Sequence, residues 1–260
     1  MTGFERIARP LAGNWDRIAA QIKSSRRVVV FLDFDGTLVK IAPRPDQVRL
    51  AQVTRRVLRR LARHPRVTIV VISGRRRAEL LHHAGIPGIR YFGLYGWERS
   101  RHSPLPGSAL TALRRVSSEL SIHLSAFRGV WVEDKRFSLS VHFLGVSPRV
   151  ERRARHKLHS LLLPFEQILH VIENLRDAEI VPRHISGKGA AVQEFLAKPA
   201  LSGALAFYFG DDLSDESAFE ALRSGVSVRV GAARPTRARY SIGSPTEVAS
   251  ALARLELAVR

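Results

Sequence analysis

Val28-Val29-Val30-Phe31-Leu32-Asp33-Phe34-Asp35-Gly36-Thr37-Leu38 joins an unbroken apolar run to two carboxylates two positions apart. A continuous run of this length, three of its residues valine, reads as a strand buried on both faces, as in a parallel sheet. The acids then stand at the carboxyl end of the strand, where open α/β sheets bind their ligands. Two acids against an apolar run lower stability unless a cation or ligand compensates. A carboxylate placed here can attack phosphorus and form an aspartyl phosphate. The second can protonate a leaving oxygen and later activate water. Gly36 lets the backbone turn sharply just after the strand.

Outward from this stretch the pattern repeats. Val67-Thr68-Ile69-Val70-Val71-Ile72 is a second buried strand and residues 89–94 are a third, with helices expected over 49–63 and 75–84. Alternating strands and helices imply right-handed crossovers and an open parallel sheet. The rhythm breaks at Pro104, Pro106 and Gly107. Residues 109–124, 130–133, 137–143, 148–163, 168–173 and 178–181 then read as α-β-β-α-β-β, a small antiparallel sheet with two helices on one face. Beyond Pro182 and Gly187 the βα alternation returns, with strands at 204–210 and 226–230 and a last helix from Pro245. The expectation is an α/β, Rossmann-like core over residues 1–103 and 184–260, interrupted by an inserted α+β lobe over 104–183.

Three further groups carry chemistry. Gly210-Asp211-Asp212-Leu213-Ser214-Asp215-Glu216 follows the apolar Ala206-Phe207-Tyr208-Phe209, and Asp215 lies one helical turn beyond Asp211. Hard oxygens at two strand ends suit Mg²⁺; Asp212 or Ser214 as a helix cap explains only part of the cluster. Ser73-Gly74-Arg75 joins a strand end to a helix start, where a hydroxyl and free N–H groups can receive phosphate oxygens. Lys188, between Gly187 and Gly189, could neutralise both a phosphoryl group and a nucleophile. The spacing of a P-loop is absent, which argues against a P-loop NTPase.

Taken in order, Asp33–Leu38, Ser73, Lys188 and Asp211–Asp215 resemble the four motifs of the haloacid dehalogenase (HAD) superfamily of phosphotransferases. The insertion resembles that superfamily's C2B-type cap. Finer marks are similar to trehalose-6-phosphate phosphatases. Gly93-Leu94-Tyr95-Gly96-Trp97-Glu98 resembles the family's G-x-H-G-x-E, with Tyr95 in place of His, and Gly210–Glu216 its G-D-D-x-T-D-E, with Ser214 for Thr. Glu133-Asp134-Lys135 resembles the cap Glu-x-Lys. Glu179-Ile180-Val181-Pro182 resembles the later cap Glu before a proline, with Val181 where a basic residue often stands. The resemblance covers about residues 25 to 255.

That resemblance implies a HAD core with a cap, and a Mg²⁺-dependent phosphomonoesterase that converts trehalose 6-phosphate to trehalose through an aspartyl phosphate. Asp33 would be the nucleophile and Asp35 the acid and base. Thr37, Ser73, Gly74 and Lys188 would bind phosphate. Tyr95, Gly96, Glu98, Glu133, Lys135 and Glu179 would bind substrate. Asp33, Asp35 (through its carbonyl), Asp211, Asp212 and Asp215 would serve the metal. The alternatives are the same machinery on a sucrose- or mannosyl-type phosphate, a phosphomutase, or a basic nucleic-acid-binding protein on a HAD scaffold. The last is disfavoured, because every catalytic position is filled and the aromatic-basic interleaving of a single-strand platform is absent.

The composition sets outer limits. The 260 residues include 42 Lys plus Arg against 23 Asp plus Glu, a formal charge of +19. The densest run, Arg55-Arg56 with Arg59-Arg60 and Arg63, falls opposite Leu50, Val57, Leu58 and Leu61, the solvated face of an amphipathic helix. Such a surface reads first as compositional bias, then as steering of a small anion. Cysteine is absent, which excludes disulfides, thiolate zinc sites and a cysteine nucleophile. No apolar stretch approaches the roughly 20 residues that span a bilayer, and the first residues lack the apolar segment of a signal peptide. A cytoplasmic protein, monomeric and without membrane or nucleic-acid partners, is the expectation. His82, His83, His156 and His159 read as surface residues, and Trp97 is equally a sugar-stacking or a core residue.

Overall fold

The computed structural model describes residues 6–42, 44–100, 105–222 and 224–260. Pro104, the expected hinge, lies outside them. The chain divides into two compact units, Met1–Arg99 with Gly187–Arg260, and Ser100–Ser186.

The first unit is built on a seven-stranded sheet in the order Arg9–Pro10, Tyr240–Ile242, Val226–Val230, Leu205–Gly210, Val28–Leu32, Val67–Ile72, Arg90–Phe92. Every pairing in it is parallel. The parallel α/β sheet expected from the apolar runs is therefore present. Val28–Leu32 lies at its centre and is buried at every position. Val30, Leu32, Ile69 and Phe209 pack with Ile18, Leu58, Leu61 and Leu252, from the Trp15–Ser24, Gln52–Ala62 and Pro245–Val259 helices. Val29, Phe31, Ile72 and Tyr208 pack with Val192, Phe195 and Phe219, from the Gly187–Leu196 and Glu216–Ala221 helices on the other face. Strand register brings the chemistry to one edge. Leu32 is level with Phe209 and Val71, so Asp33, Asp211 and Ser73 leave three adjacent strands at the same end.

The second unit carries a four-stranded antiparallel sheet in the order Trp131–Asp134, Leu139–His142, Asp177–Pro182, Leu169–Glu173, with helices Gly107–Leu124 and Pro148–Leu162. Side chains alternate across it. Leu139, Val141, Ala178, Ile180 and Leu169 are buried on one face, where Arg155 and His159 of the second helix reach Glu173. The other face is polar. Cross-strand partners share a face, so Trp131, His142 and Asp177 form one row, and Glu133, Ser140 and Glu179 the next. Among the described residues no helix is long and apolar enough to cross a membrane.

Candidate active site

Three buried carboxylates, Asp33, Asp211 and Asp215, meet at the carboxyl edge of the parallel sheet, with ligand oxygens all within 4.8 Å of one another. Lys188, 3% exposed, extends its ammonium between two of them, 2.6 Å from Asp33 Oδ1 and 2.7 Å from Asp215 Oδ1. Tyr208 donates its hydroxyl to the same Asp215 oxygen at 2.7 Å, and the Asp212 backbone N–H donates to the other at 2.9 Å. Asp215 is thus fully enclosed and holds Lys188 toward Asp33. Thr37 Oγ1 donates to Asp211 Oδ1 at 3.2 Å.

Burial sets the electrostatics. It pushes the Asp33 carboxyl up to about 7 against the pull of Lys188. Burial, then the neighbouring Asp33 and Asp215, holds Asp211 well above the carboxylate range. Burial alone would lower the Lys188 ammonium, but Asp215 and Asp33 overcome it and the group stays charged. Ionising all three acids would set one ammonium against three carboxylates, and the upward shifts of Asp33 and Asp211 express that surplus of negative charge on hard oxygens. A divalent cation fits that donor set. Close approach is built in as well. A Cβ on Gly36, whose φ is +80°, would lie 2.1 Å from Asp211 Oδ2.

Asp35 is placed differently. It stays outside the three-acid cluster, and its two oxygens receive Arg75 Nε and Nη2 at 2.6 and 2.8 Å. Sequence reasoning assigned Arg75 no role; its position two residues after Ser73, at a strand end facing an acid, was the available signal. Asp212 has a local structural part as well. Its carboxylate caps the Leu213–Asp215 turn by accepting from the Leu213 N–H at 2.6 Å, which settles the cap on Asp212 rather than Ser214. At Gly189 a Cβ would strike the Ser217 carbonyl oxygen at 2.5 Å, so this glycine allows close helix packing.

A model of the trehalose-phosphatase family matches residues 31–245. The chain belongs to that family. It is 32% identical over 252 residues to the trehalose-phosphate phosphatase of Mycobacterium tuberculosis (strain H37Rv), covering 91% of this chain and 63% of that protein. It is 27% identical over 257 residues to probable trehalose-phosphate phosphatase D of Arabidopsis thaliana, covering 91% and 69%. The chain thus spans less than two thirds of the length of the mycobacterial relative and 69% of the plant one. In fold it matches the C-terminal domain of the Candida albicans trehalose-6-phosphate phosphatase with a TM-score of 0.83 at 21% identity, over 96% of this chain and 98% of that one.

The family's Gly93–Glu98 signature sits against the Ser73–Arg77 loop in this member. Leu94 and Tyr95 take positive φ values, 46° and 58°, which aims their N–H groups at the carbonyls of Arg75 and Ser73, both at 2.9 Å. The Tyr95 ring is 3% exposed and lies where a Cβ on Gly74 would come within 2.9 Å. A Cβ on Gly96 would strike Ala191 Cβ at 2.2 Å. Glu98 accepts from the Arg77 N–H at 2.7 Å and from Arg76 Nη2 at 2.9 Å. Tyr95, Gly96 and Glu98, expected as substrate contacts, are thus buried against the loop that carries Ser73 and Arg75, and brace it.

Within the second unit, Glu133, Lys135 and Glu179 do meet. Glu179 is fully buried, with Lys135 Nζ at 3.0 Å and the Ser138 hydroxyl donating to its other oxygen. Burial would lower Lys135, yet Glu179, Glu133 and Asp177 hold it above its ordinary value. Glu133 pairs with His142 Nε2 at 2.9 Å.

Proposed function

We propose that this chain is a Mg²⁺-dependent phosphomonoesterase acting on trehalose 6-phosphate, releasing trehalose and inorganic phosphate. What carries the reading is the buried Asp33 carboxylate at a strand end, bonded through one oxygen to Lys188 and flanked by Asp211, in a chain of the trehalose-phosphatase family. Lys188 engages Oδ1 of Asp33, so the other oxygen makes the in-line attack on phosphorus. As that bond forms, the bond to the sugar oxygen breaks and Asp35 delivers a proton to the departing oxygen. Asp35, now a base, takes a proton from water; the water oxygen attacks the aspartyl phosphate, releasing phosphate and restoring Asp33.

Ser73, Thr37 and the Gly74 backbone orient the phosphoryl oxygens, and Lys188 balances their charge. Asp33, Asp211 and the Asp35 carbonyl would hold Mg²⁺, with Asp215 and Asp212 keeping these groups in place. When bound, the metal offsets repulsion between the nucleophile and the phosphoryl group. Glu133, Lys135 and Glu179 serve as partners for sugar hydroxyls, with Ser140 level between the two glutamates.

The test is phosphate release from trehalose 6-phosphate, sucrose 6-phosphate, glucose 6-phosphate and p-nitrophenyl phosphate, with Mg²⁺ and with chelator. Metal-dependent preference for trehalose 6-phosphate is the expected outcome. Preference for sucrose 6-phosphate would keep the chemistry and overturn the substrate. Silence on every compound would overturn the enzyme.

A further inference from the structure

Trp131 is 46% exposed, on the edge strand of the second unit's sheet. Its indole stacks on His142, ring centroids 3.8 Å apart and planes 17° from parallel. His142 is in turn fixed by Glu133 through Nε2. One aromatic face of Trp131 is thus covered by a held imidazole and the ring is pre-oriented. Exposing a large apolar ring costs free energy, and here it does so beside a dense polar surface, not over a core.

That surface has a definite chemistry. Glu133, Asp177 and Glu179 put three carboxylates on it against one ammonium, Lys135, and the imidazole of His142. Its charge opposes a phosphoryl group and suits a neutral body rich in hydroxyls, which donate to carboxylates. One polar atom of the same face, Ser140 Oγ in the row between Glu133 and Glu179, is buried without a hydrogen-bond partner, the residue being 1% exposed. Buried groups in that state call for a ligand or water. An aromatic plate beside carboxylates and an unpaired hydroxyl matches one class of ligand. A pyranose presents axial C–H bonds to an aromatic face and equatorial hydroxyls to polar groups.

We propose that Trp131 is the stacking platform for a pyranose ring that carries no phosphate, and so sets preference for a disaccharide phosphate over a monosaccharide phosphate. This rests on the reading of the chain as a sugar-phosphate phosphatase. Carboxylate rows alone would bind any polyol; the plate adds a requirement for a second ring.

The experiment compares wild type, Trp131→Ala and Trp131→Phe. For each, KM and kcat are measured on trehalose 6-phosphate, glucose 6-phosphate and p-nitrophenyl phosphate, and tryptophan emission is followed on adding phosphate-free trehalose. Trp131→Ala is expected to raise KM for trehalose 6-phosphate roughly fivefold to tenfold, with kcat and both single-ring substrates within about twofold. Trp131→Phe should restore most of the loss, since a ring remains. The sugar-dependent emission change of wild type should vanish in both variants, leaving Trp15 and Trp97 silent. An unchanged KM in Trp131→Ala, or an equal rise for all three substrates, would overturn the platform while leaving the phosphatase standing. If wild type fails to hydrolyse trehalose 6-phosphate, the proposed function falls. The emission titration then decides the platform alone: a trehalose response lost in Trp131→Phe supports it, and no response overturns it.

Discussion

Arg75 grips Asp35 at two points, Nε on one carboxylate oxygen and Nη2 on the other, at 2.6 and 2.8 Å. The guanidinium is itself almost buried and lies over the Phe34 ring at 5.7 Å, so the grip has little freedom to drift. A fork of this kind fixes both the direction and the plane of the carboxylate. A carboxyl group cannot accept two N–H donors and carry a proton on the same edge. The fork therefore fits the ionised Asp35; it has to be open while Asp35 carries the proton destined for a leaving oxygen, and it closes again once that proton has gone.

Arg75→Met is expected to lower kcat on trehalose 6-phosphate by about 100-fold, the low end of what a positioned acid contributes. Hydrolysis of p-nitrophenyl phosphate, whose leaving group departs without a proton, should fall far less. Steady-state rates on both substrates, with circular dichroism to confirm folding, make the comparison. Equal losses would mean that Arg75 acts on the phosphoryl group and not through Asp35.

Asp33→Asn keeps the shape of the side chain and removes the nucleophilic charge. Turnover is expected to fall on the order of 1000-fold or more, with the far-ultraviolet spectrum unchanged. Lys188 loses one of its two anionic partners but retains Asp215 at 2.7 Å, so the fold should tolerate the change. Activity close to wild type would remove the covalent mechanism.

Gly36 is the narrowest point between the first and last acidic motifs. Its φ of +80° strains any other residue, and an added Cβ would lie inside the Asp211 carboxylate. Gly36→Ala should raise the Mg²⁺ concentration for half-maximal activity by at least about tenfold and destabilise the protein by about 1–3 kcal/mol. Calorimetric Mg²⁺ binding and thermal unfolding measure the two effects separately. Wild-type metal affinity in this variant would argue that Asp211 is no ligand.

The parallel sheet was legible because its strands are runs of β-branched and aromatic residues, and the acids that end them share a register. The Arg9–Pro10 and Tyr240–Ile242 strands were not, being too short for any periodicity. The arginine-rich helix was read as a solvated face, and part of that face works inside the protein. Arg55 donates to the carbonyls of His83 and Ala84 at 2.9 and 2.8 Å. A charged residue that ends on a backbone carbonyl leaves no trace in spacing. The same blindness applies to Gly93–Glu98, whose motif announces importance but not which way its side chains point. Tyr95 and Glu98 face the Ser73–Arg77 loop, and Tyr208, the hydroxyl that fixes Asp215, hides in an apolar strand.

From that placement, Glu98→Gln should lower kcat on trehalose 6-phosphate and on p-nitrophenyl phosphate by the same factor, about tenfold, with KM nearly constant. A brace acts on every substrate alike. A residue bonded to sugar would spare the aryl phosphate, so a loss confined to trehalose 6-phosphate would return Glu98 to the substrate.

Glu256 ties the last helix to the arginine-rich one. It accepts from Arg60 at 2.8 Å and from Arg260 at 2.7 Å. Burial alone would raise its carboxyl, but the hydrogen bonds and charges of Arg260 and Arg60 prevail and hold it below the usual range. A carboxyl depressed by folding stabilises the protein above its unfolded value, and that contribution disappears as pH falls through the folded one. Glu256→Gln should therefore cost about 1 kcal/mol at pH 7, or about 2–4 °C in Tm for a chain of this size. The gap between wild type and variant should close below about pH 4, where both side chains are neutral. Both arginines are half exposed or more, so added salt should narrow the gap at pH 7 as well. A gap that stayed constant from pH 7 to pH 3 would show that Glu256 acts by packing and not by charge.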